Sequence, residues 1–266
     1  MIQLKNVSKI YGHDIEHATT LLSEPLSQSD IFKRTNCFVA LKNINLTIRG
    51  GDIFCIMGLS GSGKSTLLRH INRLIEPTTG EVWYQDMNVS EMSESELNQF
   101  RQNKVAMVFQ HFGLLPYLTV LDNVAYGLRV KGLSKAARYE KAKFWINEMG
   151  LSEFELHYPN QLSGGMKQRV GLARALAVDA DTLLMDEPFS ALDPLTRLKS
   201  QDLLLHIQSK FQKTIVFITH DVREAMRVSN QTALLHEGSL MQVGDVNQFK
   251  NNPANQYVED FMSVIE

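Results

Sequence analysis

The segment Gly58-Leu59-Ser60-Gly61-Ser62-Gly63-Lys64-Ser65-Thr66 constrains this chain more than any other feature, because it fits the pattern G-x-x-x-x-G-K-[ST] in the context that pattern needs. It follows the apolar run Ile53–Met57, which reads as a buried strand, and precedes a helical pattern with Leu67, Leu68, Ile71 and Leu74 on one face. Gly58, Gly61 and Gly63 let the backbone curl so that successive N–H groups point inward. Ser60, Ser62 and Thr66 complete the loop, and the helix that follows directs its positive dipole end at the same anion. Lys64 is then the expected bridge to the β- and γ-phosphates of a nucleotide, and Ser65 the expected Mg²⁺ ligand. A Gly/Ser-rich turn would match the letters by chance but would not bring the flanking strand and helix with it.

Composition bounds the rest. A chain of 266 residues, 44% hydrophobic and 21% charged, can bury a substantial core. A formal net charge of −2, with no block of like charges, implies neither a nucleic-acid groove nor an anionic lipid surface. The opening MIQLKNVSKIYG alternates apolar and polar residues like a half-buried strand and is expected to start a folded domain. No run approaches the ~18 to 20 apolar residues that span a bilayer, so a membrane role is expected to be peripheral. The two cysteines, Cys37 and Cys55, are too few for a disulfide framework. Cys55 falls mid-strand, where it should behave as a small buried hydrophobe in a reducing cytoplasm.

Short apolar runs recur at Ile53–Met57, Val105–Phe109, Thr182–Met185 and Ile215–Ile218, separated by helical stretches. That alternation predicts an α/β core whose strands are buried on both faces of a parallel sheet. Two segments interrupt it. Residues 12–39 lie between the first strand and the strand-like Ala40–Ile48, with Leu21, Leu22, Leu26, Ile31 and Phe32 at a loose helical period, and read as a partly helical insertion. Residues 111–161 carry Leu121, Val124, Ala125, Leu128, Ala142, Trp145, Ile146 and Met149 at helical spacing, and read as an all-helical insertion.

The run Thr182–Met185 delivers two acids, Asp186 and Glu187, at its end. Adjacent strand residues point to opposite sides, so the two should divide the work. Asp186 is placed to hold Mg²⁺ through its inner water shell, and Glu187 to polarise an attacking water as general base. Many strands end in acids; the phosphate loop upstream and the Ser190–Asp193 turn downstream make this pair specific. His220 closes the run Thr214–Thr219 and precedes Asp221, a good helix N-cap. Lone histidines are usually structural, but a strand end facing a helix N-terminus lines ligand crevices in α/β sheets, which favours contact with the γ-phosphate or the attacking water. Gln110 also ends a strand, at the start of the helical insertion, where it can touch Mg²⁺ or water and move with the insertion.

Leu162-Ser163-Gly164-Gly165-Met166 opens a helix with Val170, Ala173, Leu176 and Ala177 on one face. An N-cap serine followed by flexible glycines explains part of it. The same geometry presents N–H groups and a positive dipole end, a second anion site. One chain already has its phosphate loop, so the spare site makes sense against the nucleotide of another copy.

Taken in order, the phosphate loop, Gln110, LSGGM, Asp186-Glu187, the Ser190–Asp193 turn and His220 resemble the ATP-binding cassette ATPases over nearly the whole chain. The stretches VAMVFQHFGLLPYLTVLDNVAYGL, LSGGMKQRVGLARALA and NNPANQYV are similar to the ATPase subunits of importers for glycine betaine, proline betaine, choline and related quaternary amines, as is the insertion after Tyr11. The resemblance implies a P-loop NTPase core, with a RecA-like parallel sheet, joined by an antiparallel β subdomain. In this chain 1–110 and 162–240 would form that core, 111–161 the helical subdomain and 241–266 a tail. It further implies ATP and Mg²⁺ as cofactors, adenine stacked on Tyr11 with Phe38 as rival, and a head-to-tail dimer in which Ser163, Gly164 and Gly165 reach the other copy's ATP. Integral membrane permease subunits would dock on the helical segment, and a periplasmic or lipid-anchored binding protein would act indirectly. The place implied is the cytoplasmic face of the inner membrane. Met166 stands where the commonest family motif has glutamine, a variation frequent in this branch. Several osmoregulated relatives extend into paired CBS domains; with the sequence ending at Glu266, sensing of that kind is expected to be absent or to lie elsewhere. The alternative is an ATPase of the same family serving an importer for another small solute, or an exporter or lipoprotein-releasing complex, against which the betaine-like stretches speak. Soluble relatives in translation or DNA repair usually carry two cassettes or long coiled-coil or zinc-binding insertions, and no N-K-x-D guanine-reading motif occurs here.

Overall fold

A computed structural model describes residues 1–263; the last three residues of the tail expected at 241–266 lie outside them. In chain order the elements are β1 (Ile2–Tyr11), α1 (Ile15–Leu21), α2 (Gln28–Thr35), β2 (Phe38–Ile48), β3 (Ile53–Met57), α3 (Lys64–Ile71), β4 (Thr79–Tyr84), β5 (Met87–Asn88), α4 (Glu94–Asn103), β6 (Val105–Val108) and α5 (Val120–Val130). The chain continues with α6 (Lys135–Glu148), α7 (Gly164–Ala177), β7 (Thr182–Asp186), α8 (Pro194–Phe211), β8 (Thr214–Thr219), α9 (Val222–Val228), β9 (Gln231–His236), β10 (Ser239–Gly244), α10 (Val246–Asn251) and α11 (Gln256–Ser263). Two compact units result, one formed by Met1–Leu97 and the chain from Ile218 onward, the other by Asn98–Phe217.

The first unit holds an antiparallel sheet in the order β2-β1-β4-β5, and a group β10-β9-β3 in which β9 runs parallel to β3 and antiparallel to β10. All five residues of β3 are buried, as a strand covered on both faces requires. Cys55 is among them, and burial pushes its thiol pKa well up, so it acts as a hydrophobe.

The insertion between β1 and β2 forms α1 and α2 over a small core of Ile10, Ala18, Leu21, Leu22, Ile31, Cys37 and Val39. Ser27 caps α2 by accepting from Asp30 N–H, and Asn36 ends it in the left-handed region at φ 54°. Phe32 departs from the expected apolar stripe: it is 48% exposed, because a helix this short turns only one narrow face inward. β2 begins at Phe38, earlier than the expected Ala40, since Phe38 pairs directly with Tyr11. Leu74 is a second departure. Helix α3 stops at Ile71, Arg73 takes φ 50°, and Leu74 is half exposed.

In the second unit β6 and β7 pair in parallel, and every residue of β7 is buried. Helix α5 buries Leu121, Val124, Ala125 and Leu128 while packing on α6 and α7. Helix α6 buries Ala142, Trp145 and Ile146, with the Trp145 ring 4.7 Å from Phe211 at the end of α8.

Candidate functional site

In the first unit the phosphate loop closes on itself. Ser62 N–H donates to the Leu59 carbonyl at 3.2 Å, and Lys64 Nζ donates to the same carbonyl at 2.8 Å, so the ammonium is drawn back over the loop. Gly58 has φ 154°, and a Cβ there would collide with the Leu235 carbonyl and Ser62 Oγ. Gly63 has φ 101°, and a Cβ would come within 2.6 Å of the Ala40 carbonyl. Both positions therefore need glycine on two counts, conformation and space. The loop is pinned from outside by Gly238 N–H, which donates to the Ser62 carbonyl at 3.1 Å. Helix α3 starts on Gly63 without a side-chain cap.

One polar atom in this loop bears directly on what it holds. Ser62 Oγ is buried without a hydrogen-bond partner, and Lys64 is only 5% exposed. An unmet buried hydroxyl costs about 1–3 kcal/mol, which a phosphate oxygen would relieve. The loop thus fits a phosphate. Among the described residues no group of three His, Cys, Asp or Glu side chains stands at metal-ligand spacing. The donors expected for Mg²⁺, the Ser65 hydroxyl, the Gln110 amide oxygen and the Asp186 carboxylate, are hard oxygens of the kind this ion accepts beside waters and substrate phosphates.

His220 stands exposed where β8 ends, and the turn beneath it is built from buried groups. Thr219 Oγ1 donates to Glu224 Oε2 at 2.5 Å and accepts from Asp221 N–H at 3.0 Å. Asp221 in turn caps α9 by accepting from Arg223 N–H at 2.8 Å. Glu224, 4% exposed, has no counterpart among the residues the sequence points to; an acid facing a helix's own strand leaves no local signature. Tyr11 and Phe38 are opposite partners on β1 and β2, 43% and 47% exposed, so the two candidates for the adenine face share one side of the sheet end.

In the second unit Asp186 is the last residue of β7 and 3% exposed. The strand alternation expected to separate the two acids stops there. Glu187 adopts φ 46°, a left-handed conformation uncommon for a side chain other than Gly or Asn and associated with functional turns. Its carbonyl accepts from Ser190 N–H at 3.3 Å and Ser190 Oγ at 3.0 Å, and Gln168 Nε2 donates to the Pro188 carbonyl at 2.9 Å. Gln110 Nε2 donates to Glu187 Oε2 at 3.2 Å, bringing two expected site residues together. Asp193 caps α8 by accepting from Thr196 N–H, and hydrogen bonds from the Thr196 side chain and then its N–H hold the carboxyl below the usual range.

Ser163 caps α7: its Oγ accepts from Met166 N–H at 3.3 Å, with Val170, Ala173, Leu176 and Ala177 buried as the helical spacing predicts. Ser163 and Gly164 are exposed, while a Cβ on Gly165 would run into Thr196. Two residues further along α7, Gln168 and Arg174, hold the turns carrying Glu187 and Gln110; the helical pattern marks them only as polar positions.

A glycine-lined phosphate cradle between strand and helix, with an acid pair ending a buried strand and a serine-capped helix, defines a nucleotide-handling cassette. The chain belongs to the ABC transporter family, whose pattern matches residues 41–190. It is 47% identical over 265 residues to the glycine betaine/proline betaine transport system ATP-binding protein of Escherichia coli strain K12, covering 100% of this chain and 66% of that protein. It is 46% identical, over 100% of this chain and 67% of the relative, to the glycine betaine/carnitine transport ATP-binding protein of Listeria monocytogenes serotype 1/2a. Its fold is similar, with TM-score 0.77 and 36% identity over 92% of this chain and 98% of the other, to a dimeric ATP-binding cassette solved in a post-hydrolysis state with ADP and Pi. The chain thus spans 66% of the length of the Escherichia coli relative. Among the described residues no helix is long and apolar enough to cross a membrane.

Proposed function

We propose that this chain binds and hydrolyses ATP to drive import of a quaternary ammonium or related compatible solute through a membrane permease. The observation that carries this reading is 46–47% identity along the full chain to ATP-binding proteins of betaine transport systems. ATP phosphates lie on Gly58–Thr66, where Lys64 meets the β- and γ-phosphate charge. Ser65, Gln110 and Asp186 would hold Mg²⁺, which when bound neutralises phosphate charge. Glu187 accepts the proton of the attacking water, and His220 contacts that water or the γ-phosphate. Adenine stacks on Tyr11 or Phe38.

Ser163, Gly164 and Gly165 of a second copy complete each site in a head-to-tail dimer, a reading supported by the dimeric form of the similar cassette. Residues 111–161 form the face on which permease subunits dock, and 1–110 with 162–240 the core that holds ATP. A substrate-binding protein outside the membrane selects the cargo, and this subunit sits peripherally on the cytoplasmic face. Quaternary ammonium ions suit aromatic cages through cation–π attraction, in that partner rather than here.

Deleting the gene and measuring uptake of labelled betaine, choline and a methylated amine tests the proposal. Uptake should be lost, restored by the wild-type chain and not by a Glu187→Gln copy. Unchanged uptake across that panel, with an amino acid affected instead, would reject the cargo and leave the ATPase reading standing.

A further inference from the structure

Helix α7 holds the turns that carry both partners of the Gln110–Glu187 hydrogen bond. At its C-terminal end Arg174 donates Nη1 to the Gly113 carbonyl at 2.7 Å and Nη2 to the Phe112 carbonyl at 3.1 Å. Those carbonyls belong to consecutive left-handed residues, Phe112 at φ 61° and Gly113 at φ 55°. A bulky residue rarely adopts that conformation unless its surroundings impose it. The planar guanidinium fork meets two adjacent carbonyls at once, which a lysine point charge cannot do. One turn earlier Gly171 lies so close that a Cβ would sit 3.4 Å from the Phe112 carbonyl, so the helix and the loop are in close register. Nearer the start of α7, Gln168 is 6% exposed and holds the Pro188 carbonyl beside Glu187.

Together these contacts make α7 a common anchor. We propose that Arg174 is a positioning residue that holds the Gln110 loop so that the Gln110 amide stays against Glu187. The effect is on turnover rather than on ATP affinity, because both hydrogen bonds of the Arg174 guanidinium go to the turn after Gln110. The inference rests on the ATPase reading for its kinetic consequence and on the tether alone for its structural one.

The test uses the full chain with Arg174→Met, Arg174→Lys, Gln110→Ala and the double variant Arg174→Met/Gln110→Ala. Arg174→Met should lower kcat on the order of 10²-fold, the scale of a small misplacement near reacting atoms, with KM and the ATP dissociation constant within about twofold of wild type. Arg174→Lys should recover little of that loss. In the double variant, the Arg174→Met change should add nothing to the loss caused by Gln110→Ala, since it acts through the residue already removed. Losses that multiply, an unchanged kcat, or a turnover loss explained by a lower melting temperature alone would overturn the proposal. Hydrogen exchange needs no turnover: Arg174→Met should speed amide exchange about tenfold or more in the 110–115 loop, leaving the rest of the unit unchanged. Exchange there equal to wild type would overturn the tether even if the chain proved not to hydrolyse ATP.

Discussion

Gln110 Nε2 lies 3.2 Å from Glu187 Oε2 and donates to it, although Gln110 lies in the turn two residues past β6, not at a strand end as expected, and Glu187 directly follows β7. The amide holds one carboxylate oxygen of Glu187 in a fixed direction. Left-handed Glu187 is set by the bonds on its own carbonyl and on Pro188, so the acid's direction is built into the turn before any ligand binds.

Replacing that acid by its amide is the most direct check. Glu187→Gln should keep ATP binding and lower the hydrolysis rate on the order of 10²-fold or more, the usual cost of losing a general base. Size-exclusion chromatography with ATP should show an accumulated dimer. Turnover near the wild-type rate would move the role of base to another residue.

Ser163 caps α7 and also stands at the expected cross-subunit anion site, and Ser163→Asp separates the two roles. Aspartate caps a helix as well as serine does, so the melting temperature should stay close to wild type. Its negative charge should repel phosphate and abolish hydrolysis, with ATP affinity of the isolated subunit retained. In a mixed dimer with Lys64→Ala subunits, one site carries both defects and the other neither, so activity above that of either pure mutant dimer should return. No such recovery would argue against shared sites.

Tyr11 and Phe38 compete for one role, and nucleotide titrations of Tyr11→Ala and Phe38→Ala should separate them. The ring that stacks on adenine should weaken ATP binding by up to about tenfold when removed, in line with ~0.5–1.5 kcal/mol for an aromatic pair. The other substitution should change affinity little. Equal, negligible effects would place adenine elsewhere.

His70, fully buried on α3, donates Nδ1–H to the Ile75 carbonyl at 2.6 Å, and burial lowers its pKa to about 4. The unfolded chain therefore binds the proton more readily between its ordinary value of 6.5 and about 4. Stability should be intact above pH ~6.5 and fall as pH drops through that window, by at most about 3 kcal/mol. Denaturant titrations of His70→Asn, which keeps an N–H donor without the titration, should lose this part of the slope. An unchanged slope would assign the acid sensitivity to other groups.

Much of this was legible in the sequence because it is local. The phosphate loop, the buried strands and the caps at Ser163 and Asp221 follow from residue type and spacing within a few positions, where glycine freedom, apolar runs and short polar side chains act directly. Helix α3 shows the limit of such reading. Leu74 continues the apolar period, yet the helix ends before it, since backbone geometry at Arg73 overrides the pattern.

What the tertiary structure alone decided are the relations between distant residues. Tyr11 meets Phe38 across the whole α1–α2 excursion, and Arg174 meets Gly113 at a separation of 61 residues. Glu187 leaves the strand alternation because bonds from Ser190 and Gln168 hold its turn. The sequence by itself determined which groups this protein offers as candidates for phosphate chemistry and on which elements they ride, since those depend on short-range sterics and periodicity. Which of them touch, and in what backbone conformation, depends on packing between elements far apart in the chain, and no local pattern encodes that.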